Sequence, residues 1–128
     1  MSFSDYMEHH LLDTMFTDFT VYVAYGTAAT ESSFTEPTGN GYAREAFGSY
    51  TLTSLPGDSQ NVTNDADITF DIATGNQGTI THFALYDALT SGNLLMVISL
   101  ADLSLSSIAV TTGVNIEIPA GDLTVEID

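Results

Sequence analysis

From residue 20 onward, apolar side chains recur at every second position in short runs, and each run stops at a cluster of Gly, Pro, Asn or Asp. A period of two belongs to a pleated strand with one buried face, and a helix cannot hold it. Residues 66–72 show it best: Ile68, Phe70 and Ile72 alternate with Asp67, Thr69 and Asp71. Residues 20–25 are β-branched or aromatic almost throughout and read as the first strand. Residues 79–86 read as one strand, with Ile80, His82, Ala84 and Tyr86 on one face and Thr81, Phe83 and Leu85 on the other. Residues 94–100 are nearly continuously apolar, as suits a strand covered on both faces.

Punctuation between the runs is equally clear. Pro37, Gly39 and Gly41 mark residues 27–41 as a long loop, and the two glycines permit positive φ just before Tyr42. Strand character returns over 42–55, and Leu55-Pro56-Gly57-Asp58 signals a turn. Residues 108–111 and 114–118 flank Thr112-Gly113 as a strand pair. In the final run Leu123, Val125 and Ile127 face one way while Thr124 and Glu126 face the other.

Only the start departs from this pattern. Ser4 is a fair N-cap, and Asp5 and Glu8 oppose the positive end of a helix dipole. Tyr6, Leu11, Leu12, Met15 and Phe16 are spaced so that most share a face, which predicts a helix over residues 5–16. Such a helix either caps the open end of a β core or docks onto a neighbour. The reading is therefore mainly β: a single-domain β-sandwich or jelly-roll-like barrel with one short N-terminal helix. Residues 1–128 form one domain, with a helical segment over 1–19 and a β core over 20–128. Six to eight strands are expected.

Charge narrows the function. Arg44 is the one basic residue against 17 carboxylates, for a formal net charge of −16. Binding DNA or RNA by counterion release needs several Lys or Arg contacts, so nucleic acid is not a partner. An anionic membrane surface is disfavoured for the same reason. The charge keeps the chain dispersed, and it also suits docking onto a basic patch of a larger assembly. With no cysteine, neither disulfides nor thiolate metal sites contribute. The first 16 residues lack a positive n-region and a long apolar stretch, so no signal peptide is expected, and no apolar run is long enough for a transmembrane helix.

Reactive chemistry is hard to find. His9 and His10 are adjacent and point about 100° apart on a helix, so they cannot chelate one ion as an i, i+4 pair does. His82 reads as a hydrogen-bonded core residue, and a triad with Asp87 and a serine lacks the Gly-x-Ser-x-Gly elbow. Asp65, Asp67 and Asp71 lack the glycine and terminal glutamate of a calcium loop. The glycines follow no phosphate-loop spacing, and the Asn-x-Thr at Asn61 is a glycosylation sequon by pattern only. No catalytic, cofactor-binding or metal-binding residue is assigned, and the chain is read as no enzyme.

Three segments carry a likeness: Glu36-Pro37-Thr38-Gly39-Asn40-Gly41-Tyr42-Ala43-Arg44; then Gly78-Thr79-Ile80-Thr81-His82-Phe83-Ala84-Leu85-Tyr86-Asp87-Ala88 followed by Ser91-Gly92-Asn93-Leu94-Leu95; and residues 119–128, Pro-Ala-Gly-Asp-Leu-Thr-Val-Glu-Ile-Asp. With the opening Met1-Ser2-Phe3-Ser4-Asp5-Tyr6, they resemble a family of short tailed-phage structural proteins. Its members are often labelled tail fibre proteins, and some resemble capsid cement or decoration proteins. The likeness spans nearly the whole chain and carries no catalytic residue.

It implies a virion component made in the host cytoplasm. The leading expectation is a capsid cement protein on the capsid exterior. It would bind the major capsid protein at subunit joints, as a homotrimer, through apolar burial and edge-strand pairing. A tail-fibre or baseplate-associated protein is the alternative, although receptor-binding fibres are usually longer and repetitive. A carbohydrate-binding module is the third reading, with Tyr22, Tyr25, Tyr42 and Tyr50 as platforms. The N-terminal segment and the 27–41 loop are the expected clamps, so the candidate interface is Arg44, Tyr42, Phe34, Phe3 and Tyr6. Arg44 has two readings, a structural ion pair with Glu36 or Glu45 and an interface anchor.

Overall fold

The computed structural model describes residues 3–54 and 60–127. The turn expected at 55–58 lies outside them. Among the described residues there is one α-helix, α1 (Asp5–Asp18), and thirteen short strands. The fold is mainly β, and its sheets do not close into a barrel.

α1 starts where the sequence places it: the Ser4 side chain accepts a hydrogen bond from the Met7 N–H at 3.3 Å. It buries Glu8, Leu12 and Phe16, which recur every fourth residue on the inward face. This corrects the expected apolar face, because Tyr6 and Leu11 point to solvent and Met15 is half-buried. Phe16 meets the rings of Phe47 at 4.8 Å and Tyr50 at 5.0 Å, fixing the helix over the second of the sheets below.

Two larger sheets carry the fold. In the first, β1 (Tyr22–Gly26) lies between β4 (Glu45–Ala46) and β9 (His82–Tyr86), and β10 (Leu94–Ser99) forms the far edge. All pairs are antiparallel; Ala24 faces Ala84 across β1 and β9, and Val97 faces Ala84 across β10 and β9. In the second, β6 (Gln60–Asn64) lies between β5 (Tyr50–Ser54) and β13 (Thr124–Ile127). Three two-stranded ladders complete the set. They join β2 (Ala28–Ala29) to β3 (Phe34–Thr35), β7 (Ile68–Thr69) to β12 (Glu117–Ile118), and β8 (Gly78–Ile80) to β11 (Ile108–Val110).

The core gathers Leu12 and Phe16 of α1 with Val23, Tyr25, Val62, Phe70, Ile80, Phe83, Leu85, Val110, Leu123 and Val125, all buried. A smaller cluster of Ala24, Ala84 and Tyr86 lies on the other face of β1 and β9, under Phe34 and Leu94. β1 and β9 are thus apolar on both faces, which is why residues 83–86 are all buried.

Several expectations need correction. Residues 79–86 are not one strand: the chain changes partner at Thr81, whose N–H donates to the Gly26 carbonyl at 3.0 Å. Ile80 therefore joins Phe83 and Leu85 in the main core instead of following the His82 face. Ile72 lies beyond the short β7 and is 60% exposed. Residues 108–118 form no hairpin, because β11 and β12 each pair with an earlier strand. The 27–41 loop contains the small β2–β3 hairpin, and 42–55 is broken into β4 and β5 around Phe47 and the positive φ of Gly48. The apolar run of β10 lies at an edge and is half-exposed over Leu94, Leu95, Met96 and Val97.

Candidate interaction site

The expected interface residues fall into two groups. Arg44, Tyr42 and Phe34 gather around Tyr86 and Glu36, while Phe3 and Tyr6 stand on the N-terminal helical segment.

The first group forms a closed node. Arg44 follows the loop 39–41, in which Gly39, Asn40 and Gly41 all take positive φ. Two glycines make that affordable only around a residue such as Asn, which tolerates the left-handed region. The Asn40 carbonyl is held there by the Thr74 N–H at 2.9 Å and by Gln77 Nε2 at 2.8 Å. Arg44 is thereby presented to Glu36: Nε donates to Oε1 at 2.8 Å and Nη2 to Oε2 at 2.9 Å, a bidentate pair. Nη1 donates to the Ala88 carbonyl at 2.7 Å and the Ser91 carbonyl at 2.8 Å. The guanidinium carbon lies 3.5 Å from the centroid of the Tyr86 ring, in cation–π contact. Tyr42 donates its hydroxyl to Glu36 Oε1 at 2.6 Å, and Phe34 meets Tyr86 edge-on at 6.4 Å.

Four of the five guanidinium N–H groups are therefore committed within the chain. Arg44 ties the loop at 36–44 to the turn between β9 and β10. It retains a groove of about 320 Å³ beside it, with Leu89 and Thr90 on the far wall. Burial alone would raise the Glu36 carboxyl, but hydrogen bonds from Arg44 and Tyr42, with the charge of Arg44, bring it below its ordinary value. Burial and the neighbouring Glu36 push the Tyr42 phenol well above its ordinary value, so it stays protonated as the donor.

A pH dependence follows. A carboxyl depressed in the folded state contributes stability that is complete above its unfolded pKa and is lost as pH falls through the folded value. The stability difference between the native chain and Glu36→Gln is expected to be full at pH 7 and to shrink steadily below about pH 4. Urea denaturation at several pH values measures it; a difference unchanged down to pH 2 would contradict the ion pair.

The helix group is open. Phe3 is 56% and Tyr6 80% exposed, and Met7, Leu11 and Phe19 extend the apolar exposure along α1. Tyr6 stacks on His10 with ring planes 3° apart. The exposed run from Met7 to Phe19 has no separate signature in the apolar spacing, because α1 carries apolar residues on its outward side as well as its inward one.

The other candidates are held locally. His82 Nδ1 shares a 2.7 Å hydrogen bond with Thr81 Oγ1, while the Asp87 carboxylate accepts the backbone and side-chain N–H groups of Asn93. Asp67 accepts from the Ala120 N–H at 2.9 Å and Asp65 from Thr51 Oγ1. Among the described residues no three His, Cys, Asp or Glu side chains are grouped to hold a metal ion, and no helix is long and apolar enough to cross a membrane. Of the tyrosines weighed as platforms, Tyr25 is buried against Phe70 and Tyr42, and Tyr22, Tyr42 and Tyr50 are half-buried.

Over residues 2–126 the chain matches the family described as podophage GP4 fiber I protein gp80. It belongs to that family. A structural protein of a bacteriophage, rich in β structure, is thus what the likeness in the sequence pointed to. No match was found among curated proteins. The matched span of the fibre I family includes both the Arg44 node and all of α1, so both groups of candidate residues fall within it.

Proposed function

We propose that this chain is a structural component of the tail fibre of a short-tailed phage, acting by docking and without catalysis. The observation that carries this reading is the match to a fibre protein family along residues 2–126. Supporting it, the groups best suited to chemistry serve the fold: Arg44 clamps two loops, His82 pairs with Thr81 and Asp87 shapes a turn. The exposed apolar face of α1 supplies surface for docking.

The cement reading shares the virion setting and a β fold and differs in place. It draws on the same exposed Phe3 and Tyr6, which would then clamp the outer shell. Immunogold labelling of intact virions with antibody against this chain separates the two. Label confined to the tail is the expected result. Label spread over the head would replace the fibre reading with cement, and virions without label would remove both.

A further inference from the structure

The apolar run of β10 lacks the cover its composition calls for. β10 pairs only with β9, and its other edge faces no strand among the described residues. No charge and no proline interrupts Leu94–Ser99. One of the usual devices that protect an exposed edge is present, the bulge between Leu94 and Met96. The second sheet ends at β13, which likewise pairs only with β6.

These two open edges border the same seam. One hollow of about 370 Å³ is walled by Met96, Ile98 and Leu103 on one side and by Thr124 and Glu126 of β13 on the other. A second, of about 410 Å³, lies between Leu95 and Ile127, with Leu11 and Met15 of α1 and Phe19 just past its end closing it. The exposed apolar side of the helix thus continues into the gap between the sheets.

We propose that this seam accepts an extended apolar segment of a different protein, flanked by Lys or Arg. Main-chain pairing along β10 supplies binding energy, and alternate side chains of the incoming strand fill the hollows. Charge selects the partner. Asp102 and Glu126 stand in the wall of the first hollow. A second copy of this chain offers no lysine, its single arginine is buried on Glu36, and it brings a net charge of −16 against −16. At an ionic strength that screens over only about 8 Å, apposed acidic rims still repel. A cationic strand meets no such penalty.

The test uses the full chain and an end-labelled peptide in which three Val-Thr repeats stand between paired lysines. Fluorescence anisotropy is expected to give saturable binding with a Kd of about 10–100 μM. Binding should fall tenfold or more when the lysines become glutamates, and likewise when the central valine becomes proline. Leu11→Lys and Leu95→Lys should each weaken it tenfold; Leu11 is exposed, so its replacement leaves the fold intact. Ile72→Lys, outside the seam, should leave binding unchanged. No saturation by about 1 mM, equal binding of the glutamate peptide, or native-like binding by both seam variants would overturn the proposal. Self-association of the native chain that Leu11→Lys abolishes would overturn it too, by making a second copy the occupant.

Discussion

Replacing Arg44 by methionine is expected to remove about 3–5 kcal/mol of folding stability, because it leaves a half-buried carboxylate without its cation. Methionine keeps much of the aliphatic stem, so the loss is one of polar contacts. Glu36 loses both guanidinium bonds, the carbonyls of Ala88 and Ser91 lose their donor, and the Tyr86 ring loses the cation over its face. Domains are stable by only about 5–15 kcal/mol, so this single change should bring the urea midpoint down steeply. Arg44→Lys should recover only part of the loss, since one ammonium cannot span a bidentate carboxylate and two carbonyls together. Adding Glu36→Gln to Arg44→Met should restore stability relative to Arg44→Met alone, because the stranded charge is then gone. A methionine variant within about 1 kcal/mol of native would show that the node holds nothing together.

How much of this node was legible depends on what kind of acceptor Arg44 meets. A lone cation eight residues from a glutamate already implies an ion pair, and Glu36 is the partner found. The carbonyls of Ala88 and Ser91 leave no mark in a sequence, because every residue carries one. The fold class was legible for a different reason: short runs that alternate or are β-branched and apolar, each ended by turn residues, mark strands whatever each strand pairs with. Pairing itself was not. Thr112-Gly113 looks like a hairpin turn, yet β11 and β12 pair with strands far earlier in the chain. Local turn chemistry cannot report contacts made across such separations.

The helix and β10 failed for a shared reason. α1 carries apolar residues on both its inward and outward sides, so an apolar count cannot choose between them. The inward face is decided by Leu12 and Phe16 together with a glutamate, Glu8, which apolar patterning excludes from the start. Likewise, the run of β10 reads as doubly covered, and the described residues cover it only in part. The two misreadings meet at the same seam, where Leu11 and Leu95 line one hollow.

Asn64 shows most directly what a buried side chain with no sequence signature can hold, and its replacement by aspartate is expected to lose about 3–4 kcal/mol at pH 7. The side chain is 1% exposed. Its Nδ2 donates to the Ala66 carbonyl at 2.9 Å and the Pro119 carbonyl at 3.0 Å, and its Oδ1 accepts the Leu123 N–H at 2.9 Å. Its own carbonyl accepts the Gly121 N–H at 2.7 Å, so one residue fixes the turn that leads into β13. Aspartate has the same shape but would turn a carboxylate oxygen toward two carbonyl oxygens. Burial and those neighbours would raise the pKa of the introduced carboxyl above its unfolded value of about 3.9. The penalty is therefore full above the raised value and shrinks as pH falls toward the unfolded one, where the protonated acid can donate to one of the two carbonyls. Thermal melts should show a deficit of roughly 10–15 °C at pH 7 relative to native, narrowing at about pH 4. An equal deficit at both pH values would mean that the loss comes from shape or backbone rearrangement and not from the reversed hydrogen-bond polarity at this position.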